Sequence, residues 1–85
     1  MGYKITYKNS VAKDLKRIGK AQAKRILNKI DGELSKNPVR LPALTGPFAG
    51  MRKLRVGDYR VIFVIMDQDV LILRVQDRKD VYRKK

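Results

Sequence analysis

Eighty-five residues make one small domain, and a chain of this size buries only about 60 % of its unfolded surface, so a partner that binds the native form would stabilise it. Twenty-one basic against eight acidic residues leave a net charge of +13, with +8 over residues 1–40 and +5 over residues 41–85, which favours polyanionic partners through counterion release. The absence of cysteine and histidine excludes a disulfide framework, a thiol nucleophile, a Cys/His metal centre and the usual general base.

The N-terminus has no apolar signal core, and no run approaches the roughly 20 residues needed to span a bilayer. A soluble, cytoplasmic protein without a membrane partner is therefore expected. Tyr3 to Lys8 alternates apolar and polar residues and reads as a strand with Tyr3, Ile5 and Tyr7 on its buried face. Asn9-Ser10 is a suitable N-cap for a helix over 11–18, where Val11, Leu15 and Ile18 recur at helical spacing and Gly19 ends the run. A second helix over about 21–36 carries Ala23, Ile26, Leu27, Ile30 and Leu34 on one stripe. The short connection predicts a helical hairpin packed on a sheet. Its outward faces hold Lys13, Lys16, Arg17, Lys20, Lys24, Arg25 and Lys29. Such a face is either solvated or tracks phosphates, and Lys24 and Lys29 are the candidate RNA contacts.

Asn37-Pro38 ends the second helix, and residues 37–50 form a loop pinned by Leu41, Leu44 and Phe48. Two strand-like runs then flank Gly57-Asp58, which predicts a tight hairpin with Gly57 supplying a positive φ. A two-residue turn sets Val56 opposite Tyr59, Arg55 opposite Arg60, Leu54 opposite Val61 and Lys53 opposite Ile62. Lys53, Arg55 and Arg60 then share one face while Leu54, Val56, Tyr59 and Val61 take the other. Like charges directly opposite one another destabilise a sheet, so the pairing of Arg55 with Arg60 points to a face shaped to receive an anion. The strand from Tyr59 to Met66 is apolar on both faces after Arg60, as in a central strand. A three-residue turn at Asp67-Gln68-Asp69 would set Ile62 opposite Arg74, keep Leu71, Leu73 and Val75 in the core, and add Arg74 and Gln76 to the cationic face. A two-residue turn would force Arg74 inward beside Phe63. The segment from Arg78 onward is polar apart from Val81 and Tyr82. The expected architecture is a single α+β domain over residues 1–85, in the order β-α-α-β-β-β, with two helices on a small antiparallel sheet.

Leu54-Arg-Val-Gly-Asp-Tyr-Arg-Val-Ile-Phe63, an apolar strand and then Arg78-Lys-Asp-Val-Tyr82 resemble the RelE/ParE superfamily of toxins, and most closely its RelE branch. The resemblance spans nearly the whole chain. It implies the toxin of a type II toxin–antitoxin system that cleaves messenger RNA in the ribosomal A site, leaving a 2′,3′-cyclic phosphate and a 5′-hydroxyl. It also implies a RelB-like antitoxin as partner, with operator DNA reached only through the toxin–antitoxin complex. Lys53, Arg55, Arg60 and Tyr82 match the branch's catalytic positions, and Arg78 matches with less constant spacing.

The chemistry agrees with that assignment. Attack by a 2′-hydroxyl on the adjacent phosphate passes through a dianionic phosphorane, whose non-bridging oxygens suit arginine forks. Without histidine, Lys53 and Tyr82 are the available proton carriers, Arg74 lies at the edge of the site, and neither metal nor cofactor is implied. A ParE-like inhibitor of DNA gyrase without catalysis and a non-catalytic RNA- or antitoxin-binding module are the alternatives.

Overall fold

The computed structural model describes residues 2–44, 46 and 50–77. Strand β1 (Lys4–Tyr7) leads into helices α1 (Asn9–Ile18) and α2 (Lys20–Leu34). A single 3-10 turn at Pro38–Arg40 follows, then strands β2 (Arg52–Val56), β3 (Tyr59–Met66) and β4 (Asp69–Asp77). The strands form one sheet in the order β1-β4-β3-β2. The β2–β3 and β3–β4 pairs are antiparallel, and β1 joins the far edge parallel to β4. That placement brings the first strand beside the last, with both helices carried in the connection between β1 and β2.

One face of the sheet is covered by the helices. Val11 of α1 and Ile26, Ile30 and Leu34 of α2 pack on Leu54, Val56, Val61, Phe63, Val70, Ile72 and Val75. Burial of that apolar set is the main favourable term in the fold. Ala23 and Leu27, on the flank of the α2 stripe, stay half-buried. Gly19, at φ 106°, ends α1 by donating its N–H to Leu15 O and turns the chain directly into α2. No helix among the described residues is long and apolar enough to cross a membrane.

Several sequence expectations need correction. Tyr7 is 42 % exposed, because β1 ends at the sheet edge where α1 begins rather than under the helices. Lys8 occupies the N-cap of α1 without a side-chain cap bond, and the Ser10 hydroxyl instead donates to Leu73 O at 2.9 Å. The β3–β4 turn has two residues, Asp67 and Gln68, with Met66 paired to Asp69 and Asp67 at φ 57°. A register shift between Ile62 and Phe63 then leaves Leu73 as an extra residue: Phe63 faces Ile72 while Ile62 faces Arg74. This bulge changes the phase of β4 in mid-strand. Val70, Ile72 and Val75 therefore fill the core, whereas Leu71 and Leu73 are only half-buried. Arg74 keeps its expected partner although the turn is shorter than expected.

The loop after α2 is pinned as foreseen by Leu41, which packs against the core, and also by Arg52. The Arg52 guanidinium donates through Nη1 to Leu41 O at 2.7 Å and to Val39 O at 3.2 Å. Ala43 bridges Arg52, and Lys53 N–H donates to Pro42 O at 3.4 Å, so this loop covers the first half of the β2 edge. Phe48 lies outside the described residues.

Candidate nucleic-acid interface

The β2–β3 hairpin closes around Gly57 at φ 60° and Asp58, and its register is Val56↔Tyr59, Arg55↔Arg60, Leu54↔Val61 and Lys53↔Ile62. Positive φ at the first turn position alone is the pattern of a type II′ turn, whose twist matches the flanking strands. Arg55 and Arg60 consequently lie side by side on the face away from the helices, with Gln76 of β4 next to Arg60. About 7 Å along the strands, two residues away, the next row on that face is Lys53, Ile62 and Arg74. Ile62 is 5 % exposed and stands outside the helix-facing core, so the cations surround a buried apolar side chain.

Among the described residues, Lys53, Arg55 and Arg60 make no ion pair. A structural pairing of Arg60 with Asp58 or Asp77 is thus not the reason for its position. An unneutralised Arg55–Arg60 pair costs sheet stability and provides two adjacent planar forks for one anion. Arg78 and Tyr82 lie outside the described residues.

Arg74 has a different environment. Beyond Ile72, which pairs with Tyr7 at the end of β1, no strand continues along that edge of β4 among the described residues, and α1 takes its place. Lys8 N–H donates to Ile72 O, Ser10 Oγ to Leu73 O and Val75 N–H to Asp14 Oδ2, each at 2.9 Å. Ser10 and Asp14, one helical turn apart, thereby substitute for a neighbouring strand. Arg74 reaches round the same edge and forks onto Asp14, with Nε to Oδ2 at 2.9 Å and Nη2 to Oδ1 at 3.0 Å, while Arg17 Nη2 stands 3.9 Å from Oδ1. Asp14 is 4 % exposed. Burial pushes its carboxyl up, but the hydrogen bonds from Arg74 and Val75 and the charges of Arg74 and Arg17 outweigh it and hold the group below its ordinary value. With its fork committed to Asp14, Arg74 can offer an RNA only residual charge.

Asp14 went unnoticed in the sequence, yet a signal was present. It is the only acid in α1, and it falls on the side of the helix that carries Val11 and Ile18. Because its folded value is depressed, its contribution to stability is present above the unfolded value of about 3.9 and is lost as pH falls through the folded one. Thermal melts from pH 6 downward should accordingly show the advantage of the parent over Asp14→Asn shrinking below about pH 4; an advantage constant across that range would mean that the carboxylate is not held by these donors.

The candidate RNA contacts Lys24 and Lys29 are both exposed on α2. Lys29 Nζ stands 3.7 Å from Glu33 Oε2, and its stem lines a cleft against the hairpin with Arg25, Asn28, Arg55, Val56 and Gly57. A separate groove between α1 and α2 is lined by Ala12, Leu15, Ala23 and Leu27, with Lys16 and Lys20 at its rim.

A family model described as the ParE toxin of type II toxin–antitoxin systems, parDE, matches residues 5–82. Toxin RelG of Mycobacterium tuberculosis is 31 % identical over 87 residues, an alignment that takes in 99 % of this chain and 100 % of the relative. The toxin–antitoxin complex RelBE2 of the same organism contains a chain that superposes with a TM-score of 0.85 at 28 % identity, covering 92 % of this chain and 100 % of that one. The archaeal RelE–RelB complex of Pyrococcus horikoshii gives 0.71 at 29 % identity, over 94 % and 99 % of the two chains. With the fold, the hairpin and the family model in agreement over most of its length, the chain belongs to the ParE toxin family of type II toxin–antitoxin systems, within the RelE/ParE superfamily.

Proposed function

We propose that this toxin is a ribosome-dependent endoribonuclease that cleaves messenger RNA in the A site. The observation that carries the reading is the cationic row Arg55–Arg60 beside Lys53, unneutralised among the described residues and set over buried Ile62. A gyrase inhibitor without catalysis has no need to set unneutralised cations side by side around one buried side chain. In the proposed reaction the 2′-oxygen attacks phosphorus, the bond to the 5′-oxygen breaks, and the products are a 2′,3′-cyclic phosphate and a 5′-hydroxyl. Arg55 and Arg60 hold the non-bridging oxygens as charge develops on them. Lys53 and Tyr82 move the two protons, one from the 2′-hydroxyl and one to the leaving oxygen, and Arg78 adds charge from the C-terminal segment. The ribosome's task is to orient the message, which a site without a strong base requires.

The helical groove lined by Ala12, Leu15, Ala23 and Leu27 suits the apolar side of an acidic amphipathic segment, with Lys16 and Lys20 meeting its carboxylates. The relatives in the RelBE2 and RelE–RelB structures are held in complexes with antitoxins, which supports a RelB-like antitoxin as the occupant here. Operator DNA is then reached through that complex. The second reading, gyrase inhibition, is favoured by one observation, the ParE description of the matching family model. Parallel assays of translation on purified ribosomes and of gyrase supercoiling separate the two: the ribonuclease reading expects arrest of the first alone.

A further inference from the structure

Apart from Arg55, the residues of the cleft between α2 and the hairpin turn take no part in the chemistry proposed above. Its volume is about 380 Å³, and its walls are Arg25, Asn28 and Lys29 from successive turns of one face of α2, with Arg55, Val56 and Gly57 from the β2 end of the hairpin. Three cations and an amide converge there. Arg25 is held close against the turn: a Cβ at Gly57 would stand 3.6 Å from its Nη2. Arg25 and Arg55 have no carboxylate partner among the described residues, and Lys29 has only half-buried Glu33 at 3.7 Å. Arg55 belongs to two sites at once, since it lines this cleft and also stands beside Arg60 on the outer face.

We infer that this cleft is a second phosphate site, which takes a backbone phosphate of a single RNA strand whose scissile phosphate lies at Arg55–Arg60. The inference rests on the RNA reading of the outer face and extends it. Guanidinium forks and an amide donor match the tetrahedral oxygens of a phosphodiester. Arg55, shared by both sites, gives the strand a continuous cationic path round the β2 edge, where the loop that covers the first half of the strand has ended. An isolated carboxylate would need only one of these forks. The cleft contributes position and affinity rather than base identity.

The test uses the full chain, freed from its antitoxin, and a six-nucleotide RNA with 2′-O-methyl sugars throughout, which binds without being cut because no 2′-hydroxyl is free to attack. Titration of ¹⁵N-labelled protein should shift the amides of Asn28, Lys29 and Gly57 together with those of Arg55 and Arg60, and inorganic phosphate should shift the cleft set more weakly. Arg25→Gln with Lys29→Gln should flatten the salt dependence of oligonucleotide binding by about 0.7 of a log–log unit, the value of one single-strand phosphate contact. Lys13→Gln with Lys36→Gln removes the same charge from exposed positions outside the cleft and should change the slope by clearly less. Equal slopes for the two double variants would overturn the proposal, as would shifts confined to Arg55 and Arg60. A hexaglutamate peptide that shifts the cleft amides at lower concentration than the oligonucleotide would also overturn it, in favour of an acidic protein segment. Because the oligonucleotide is not cleaved, failure of the ribonuclease reading would show separately, in the cleavage assay.

Discussion

Replacement of Arg60 by alanine is expected to lower the single-turnover rate of messenger cleavage on programmed ribosomes by about 10²- to 10³-fold, the cost of removing one preorganised donor from a developing oxyanion. Ribosome affinity should change far less, because the contact strengthens only as charge accumulates in the transition state. The geometry behind this expectation is the direct pairing of Arg60 with Arg55, beside buried Ile62 and next to Gln76. Arg60→Lys keeps the charge and loses the planar fork, so a loss of roughly 10-fold or more is expected from it as well. A lysine variant equal to the parent would reduce the role of Arg60 to charge alone. If Arg60→Ala itself cleaved at the parental rate, the outer face would be the wrong site.

The second large effect is on stability. Asp14→Ala should destabilise the fold by about 3 kcal/mol, since it leaves the buried Val75 N–H without an acceptor and removes charge-assisted hydrogen bonds from Arg74. Arg74 is 46 % exposed, so its pair is counted at the low end of that range. For a domain this small the loss corresponds to a fall in Tm of roughly 12–24 °C. Arg74→Ala should cost less, because Val75 N–H keeps its acceptor, and the double variant should fall short of the sum of the single ones by about 1 kcal/mol. Strict additivity in thermal or urea unfolding would show that Asp14 stabilises β4 independently of Arg74.

How much of this was legible follows from the range of the interactions. The α2 stripe of Ile26, Ile30 and Leu34, the chain reversal at Gly19 and the Arg55–Arg60 register are set within a few residues along the chain, and each was readable there. The bulge at Leu73 was not, because it shows only when β4 must satisfy the turn at one end and the Ile62–Arg74 pairing at the other. Sequence alternation alone therefore assigned Leu71 and Leu73 to the core in place of Val70 and Ile72. The parallel edge position of β1 and the substitution of Ser10 and Asp14 for a strand depend on contacts some 60 residues apart in sequence, at which local patterning gives no signal. The Arg55–Arg60 pairing was legible for the opposite reason: a like-charge pair conflicts with sheet stability, and a conflict set by the hairpin register can be read within a few residues.

RNA cleavage by the outer face of the β2–β3 hairpin is tested most directly by mapping RNA ends on a defined message incubated with this protein, with and without purified ribosomes. New ends are expected at the A-site codon, present only with ribosomes, bearing a 5′-hydroxyl and a 2′,3′-cyclic phosphate. An intact message on stalled or translating ribosomes, with growth arrest persisting and gyrase supercoiling inhibited, would contradict it.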